Sequence, residues 1–237
     1  MLRLTRRGLL LVAAGAPLPK AAPFVPSPNF RLTGPAAARG ALVWLHEAYD
    51  PDAEPNGPPE ADWVARLARD RYDIWRFDRT PHQDPLGPGG EALLRGLAGL
   101  RAARYRRVVV AGHSRGAFIA LAALARPDLA DAVAAMEPAA HGTSPERWRQ
   151  ALADFAERMR AARGVPLALA QLRDDPYEPD PDGRAAMARG AGMPLLLIDR
   201  PAAPTGHMGA AGVEFDARFG ACLVRFLEMP RRGAACR

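Results

Sequence analysis

Ser114 is the side chain best placed to do chemistry. It sits at the centre of Gly112-His113-Ser114-Arg115-Gly116, directly after the β-branched run Arg107-Val108-Val109-Val110-Ala111 and before the apolar stretch 117–125, which reads as a buried helix. A serine at a sharp strand-to-helix turn takes a strained backbone conformation and lifts its hydroxyl clear of the sheet. The flanking glycines let strand and helix approach where a Cβ would collide. The helix N-terminus adds unpaired N–H groups and partial positive charge, which suit a developing oxyanion. Serine is a weak nucleophile at neutral pH, so it needs a base, and the base needs a partner that fixes its tautomer.

In open parallel sheets, functional groups gather beyond the carboxyl ends of the strands. Two segments after Ser114 offer them. Asp174 and Asp175 follow the apolar run 165–172, with Asp180 further on. His207 follows the run 194–198 across a loop of fewer than ten residues. The order along the chain is serine, acid, histidine. The other histidines are His46, His82, His113 and His141. None shows an HExxH or comparable spacing, which argues against a metal site.

These residues need a scaffold, and the chain alternates in a way that supplies one. Strands are predicted at 41–46, 72–77, 107–111, 131–136, 165–172 and 194–198. Continuous apolar runs of this kind suit strands covered on both faces. Between them lie helical patterns at 60–70, 91–105, 117–125 and 183–189. Thr143-Ser144-Pro145-Glu146 resembles a capping box ahead of a long amphipathic helix through Trp148, Leu152, Phe155 and Met159. That helix either packs on the core or roofs a site. A last helix spans 212–229, with Phe215, Phe219, Leu223 and Phe226 along one stripe. Proline- and glycine-rich stretches at 22–40 and 80–90 read as an extended entry and a loop. The whole predicts an α/β domain, a mostly parallel central sheet with helices on both faces and little room for a lid.

Composition narrows the classes. The chain has 237 residues, 49% hydrophobic, enough for one large core. Its net charge is +6, but Arg3, Arg6, Arg7 and Lys20 lie in the first 22 residues, which hold no acid. The rest therefore carries only +2, with arginines spread among acids. That distribution argues against a nucleic-acid partner. Residues 1–22 read as a signal peptide: a basic start, the short apolar run Gly8-Leu9-Leu10-Leu11-Val12-Ala13-Ala14, and small residues at Ala14-Gly15-Ala16. Thr5-Arg6-Arg7-Gly8-Leu9-Leu10 resembles the twin-arginine export motif, which implies that export machinery as a partner and a periplasmic or secreted protein. The apolar run is far shorter than the ~20 residues of a membrane span. Cys222 and Cys236 could pair in an oxidising compartment, or Cys222 could belong to the apolar stripe of the last helix.

From residue 41 to residue 229 the chain resembles the α/β-hydrolases, the group that includes esterases, lipases and dienelactone hydrolases. The carrying motifs are Gly112-His113-Ser114-Arg115-Gly116, similar to the nucleophile elbow; Asp175-Pro176-Tyr177-Glu178-Pro179, similar to the turn that carries the family acid; and Gly206-His207-Met208, similar to its histidine loop. The resemblance implies Ser114 as nucleophile, His207 as base and Asp175 as the acid that orients it, with Asp174 as rival. It implies an oxyanion hole from the Arg115 N–H and from the Ala48 N–H, with Glu47 as rival; a glycine common in relatives is replaced here by Glu47. It puts His113 under the turn and His46 in support of the oxyanion loop. The implied reaction is hydrolysis of an ester or related acyl bond on a small-molecule substrate, without cofactor. Acyl transfer, cofactor-free peroxidase-like chemistry or a non-catalytic binding protein are the rivals on the same fold. Arg79 and Arg115 near the expected site would favour an anionic substrate group.

Overall fold

A computed structural model describes residues 23–48 and 60–236; the candidate signal peptide lies outside the described residues. The apolar runs form the strands β2 (Gly40–Leu45), β3 (Tyr72–Phe77), β4 (Val108–His113), β5 (Ala132–Met136), β6 (Leu167–Gln171) and β7 (Leu195–Asp199), preceded by a two-residue β1 (Val25–Pro26). Sheet order is β1-β3-β2-β4-β5-β6-β7. β1 pairs antiparallel with β3, and the other neighbours are parallel. From β2 the chain moves outward to β3, then returns to the other side of β2 as β4. Loops leaving β2 and β4 therefore diverge, and a crevice opens between them at the carboxyl edge.

Successive strand residues feed opposite cores. Val43, Leu45, Val108, Val110, Val133 and Leu169 face a layer built with α2 (Leu86–Ala102), α3 (Ser114–Ala120), α4 (Pro145–Ala161) and α5 (Pro181–Gly190). Leu42, Trp44, Ile74, Val109, Ala168 and Leu196 face the other, built with α1 (Val64–Arg69), α6 (Val213–Phe215) and α7 (Ala221–Glu228). The alanine-rich β5 is a strand despite its helix propensity, because it lies buried between β4 and β6 where small side chains fit under packed helices. Asp73, fully buried on β3, accepts hydrogen bonds from the Thr33 and Gly34 amides (2.7 and 2.8 Å) and the Tyr105 hydroxyl (2.6 Å), pinning the entry segment to the sheet. Burial first, and then Asp73, raise the Tyr105 pKa.

Three expectations need correction. α2 begins at Leu86, inside the stretch expected to be loop. Pro88 lies in its first turn, where no partner for an N–H is needed. Gly89 is there for space, since a Cβ would stand 2.5 Å from the Gln83 carbonyl oxygen. The N-cap of α4 is Ser144, which accepts from the Arg147 amide, so Thr143 and Glu146 make no capping box. α4 packs on the core through Phe155 against Phe118 (6.4 Å between rings) and contributes no residue to the cleft below. The last helix is interrupted by a π turn at Asp216–Gly220, where Arg66 grips the Asp216 carboxylate (2.9 Å from Nη2). Cys222 and Cys236 form a disulfide that ties the tail to α7, and Ala234 makes a parallel bridge to Leu196 on β7.

Candidate active site

β4 ends at His113, and the chain turns into α3 at Ser114 with a φ of +53°. This left-handed conformation costs a β-carbon residue about 1–3 kcal/mol and is held by packing around it. A Cβ at Gly116 would stand 2.2 Å from the His46 carbonyl oxygen, and one at Gly112 would stand 2.6 Å from the Gly116 carbonyl carbon. The two glycines thus let the start of α3 sit against the end of β2, and no larger residue fits either place.

His207, on the loop after β7, places Nε2 2.8 Å from Ser114 Oγ. Its Nδ1 lies 3.0 and 2.9 Å from the two carboxylate oxygens of Asp175, on the loop after β6. The Asp175 side chain is 3% exposed and its Oδ1 also accepts from the Tyr177 amide (2.9 Å). An ionised Asp175 can only accept, so it fixes the proton on His207 Nδ1 and leaves Nε2 to accept from the serine hydroxyl. The Tyr177 ring packs on the imidazole at 4.5 Å. The other two acids stand elsewhere: Asp174 is exposed, with a φ of +64°, and Asp180 caps α5 through the Gly183 amide (2.8 Å).

A cleft of about 420 Å³ opens over Ser114, lined by Glu47, Ala48, Arg115, Tyr177 and His207 and by Ala139, Ala140 and Gly142 from the loop after β5. Arg79 is not among its walls. Its fully buried guanidinium bonds the carbonyls of His46 (2.9 Å) and Glu47, and Asp84 (3.2 Å). Arg115 also pairs with Asp84, at 3.4 Å. The expected arginine pair is thus met by a carboxylate from the protein itself, with Glu47 beside it, and the wall carries little net charge. Burial lowers the Arg79 pKa to about 10, with Asp84 opposing, so it stays charged at neutral pH. His46 accepts from the Arg79 amide at 3.3 Å. Burial, and then the Arg79 charge, lower its pKa to about 4, so it is neutral.

Behind His207 stands a pair that the sequence reading did not combine. His113 Nε2 donates to the His207 carbonyl oxygen at 2.6 Å and lies 3.5 Å from the buried carboxylate of Glu137. Glu137 also accepts from the Ala210 amide (3.1 Å), so the pair holds the histidine loop at two points, the His207 carbonyl and the Ala210 amide. Burial opposes charge on His113, but Glu137 and the His207 carbonyl outweigh it and raise the pKa; burial raises that of Glu137. Glu137 directly follows β5, the same strand-end placement that singled out Asp175, and that signal was available. Glu137, Asp175 and His207 bring potential metal-ligating atoms within 4.8 Å of one another. Asp175 and His207 are already bonded to each other, and Glu137 is bonded to the Ala210 amide. His141 bonds Asp154 at 2.7 Å, and His82 lies exposed in a short 3-10 turn.

No family model matches the chain, and a search of curated proteins finds no match. Solved structures do share its architecture. The acylaminoacyl peptidase of Pyrococcus horikoshii superposes with a TM-score of 0.63 at 13% identity, covering 89% of this chain and 39% of its own. The dipeptidyl peptidase 4 of Porphyromonas gingivalis gives 0.58 at 12% identity, covering 88% and 33%. An esterase of Pyrococcus furiosus gives 0.57 at 14% identity, covering 81% and 83%. The chain thus spans about two fifths and one third of the two peptidases, but matches most of the esterase. The strand order, the turn after β4 and these likenesses establish that the chain has the α/β-hydrolase fold.

Proposed function

We propose that the protein is a serine hydrolase that cleaves an ester or related acyl bond on a small substrate. The observation that carries this is the imidazole of His207 held between Ser114 Oγ and the Asp175 carboxylate at 2.8 to 3.0 Å. In this reading His207 Nε2 takes the Ser114 proton as Oγ bonds to the acyl carbon. The charge that forms on the carbonyl oxygen is met by the Arg115 and Ala48 amides. Asp175 stabilises the imidazolium. The alcohol departs with the proton from His207, and water then attacks the acyl-serine with His207 again as base.

A cleft of about 420 Å³ accords with a small or medium acyl group. Among the solved likenesses, the esterase matches over most of its length while the peptidases match over a minor share, and this favours an ester over a peptide. We propose export by a twin-arginine signal at residues 1–22, a reading supported by the Cys222–Cys236 disulfide, since such bonds persist in oxidising compartments.

The test is hydrolysis of p-nitrophenyl esters of increasing chain length by the purified protein, with an added alcohol as competing acceptor. Release of free acid by wild type and its loss in Ser114→Ala is the expected result. Ester formed on the added alcohol in preference to free acid would make it an acyltransferase. Peroxidation without ester cleavage, or folded protein without turnover, would overturn the hydrolase reading.

A further inference from the structure

We propose that Arg79 is a positioning residue for the oxyanion hole, holding the Glu47–Ala48 peptide so that the Ala48 amide faces the cleft. This rests on the hydrolase reading above. The loop after β2 carries Glu47 where a glycine would give the backbone freedom to turn, so something else must set the peptide plane.

In a trans peptide the carbonyl and the following N–H point in opposite directions. On the serine side, the Ser114 carbonyl oxygen accepts from the Ala139 amide at 3.1 Å, so the Arg115 N–H is turned the other way. On the β2 side, the corresponding anchor is a side chain. β3 lies parallel to β2, with Phe77 opposite Leu45, so Arg79, two residues on, comes alongside the loop after β2. One nitrogen, Nη2, bonds both the His46 carbonyl (2.9 Å) and the Glu47 carbonyl. Asp84 fixes the guanidinium along its Nε–Nη2 edge, 3.3 Å from Nε and 3.2 Å from Nη2. The His46 ring takes the Arg79 amide, so main chain and side chain both clamp the loop. Ala48 and Glu47 line the cleft with Ser114, and Arg79 does not. A Glu47 carbonyl turned toward Arg79 therefore turns the Ala48 N–H away from it and toward the cleft. A cation on that carbonyl also polarises the peptide and strengthens its N–H as a donor.

The full chain is compared with Arg79→Met, Arg79→Lys, Ala48→Pro and the Arg79→Met/Ala48→Pro double variant, with folding checked by circular dichroism. Turnover of p-nitrophenyl acetate gives kcat and KM. An aryl trifluoromethyl ketone, which forms an oxyanion on the serine, gives an inhibition constant. Removing one oxyanion donor lowers kcat about 10²–10³-fold. Arg79→Met is expected to lose about 10²-fold in kcat with KM within about twofold, and to weaken ketone inhibition in proportion. Ala48→Pro, which removes the N–H and also fixes φ at residue 48 and restricts Glu47, is expected to lose at least as much, and the double variant to lose no more than the larger single loss. Arg79→Lys, with one cationic nitrogen and no planar fork, is expected to recover part of kcat. A kcat near wild type in either folded single variant, or independent losses that multiply in the double, would overturn the proposal while leaving the hydrolase reading intact. Should Arg79→Met fail to fold, Ala48→Pro decides it: a wild-type kcat there overturns it. A folded wild type that neither turns over nor reacts with the ketone would overturn both.

Discussion

Asp175→Asn is nearly isosteric, and its effect follows from one neighbouring amide. Asp175 Oδ1 accepts from the Tyr177 N–H at 2.9 Å, and both carboxylate oxygens face His207 Nδ1. Asparagine has one oxygen and one NH2 group. Keeping the oxygen at Tyr177 puts the NH2 against Nδ1, and the imidazole then carries its proton on Nε2, facing Ser114 Oγ. In that tautomer it cannot take the serine proton. Turning the amide over restores the tautomer but sets NH2 against the Tyr177 N–H, leaving a buried donor unmet at about 1–3 kcal/mol. That is a factor of about 5–150 in the productive population. Loss of the carboxylate charge beside the imidazolium adds to it, and together they lower kcat about 10⁴-fold. KM is expected within about twofold, because Asp175 does not line the cleft. Steady-state turnover of p-nitrophenyl acetate measures this, with Asp174→Asn as the exposed control. A folded Asp175→Asn protein that keeps more than about a tenth of wild-type kcat would refute the reasoning.

Three further outcomes are expected. His46 has a native pKa lowered from 6.5 to about 4, so the unfolded chain takes the proton first as pH falls. The stability from its neutral form is present above pH 6.5 and lost through 4, about 3 kcal/mol in all. Urea unfolding at pH 7 and 4 should show wild type losing about that much more than His46→Asn; equal losses in the two would contradict it. Phe155, fully buried against Phe118 and beneath the Arg184 guanidinium at 5.2 Å, should cost about 3–5 kcal/mol as Phe155→Ala by denaturant titration. The Cys222–Cys236 bond spans 14 residues, so reduction or Cys222→Ala/Cys236→Ala should lower stability by about 2–4 kcal/mol, read as a fall in Tm, and leave kcat unchanged.

What could be read from the sequence was what local pattern controls. A buried parallel strand is a run of apolar residues, so β2 to β7 fall within a few residues of their expected ends. Ser114 and Asp175 follow such runs closely and His207 follows one across a short loop, and the structure brings their side chains together. Choosing Asp175 over Asp174 needed the motif, since both follow β6; in the structure the left-handed Asp174 faces solvent while its neighbour points at His207. Contacts between distant segments left no such trace. The early start of α2 depends on Gly89 clearing Gln83 and Ile119, and the π turn sits where Arg66 reaches Asp216 from 150 residues away in sequence. Arg79 reads as a surface charge until β3 is laid beside β2. Glu137 was within reach of the strand-end rule, but its meeting with His113 and the Ala210 amide needs three segments in place.

The central claim is that Ser114 is an activated nucleophile. The most direct measurement is labelling of the purified protein with a fluorophosphonate, read by intact mass and by mapping the adduct. One phosphonyl group on Ser114 is expected in wild type, none in Ser114→Ala, and a much slower reaction in Asp175→Asn. Folded wild type without an adduct, or an adduct that persists in Ser114→Ala, would contradict it.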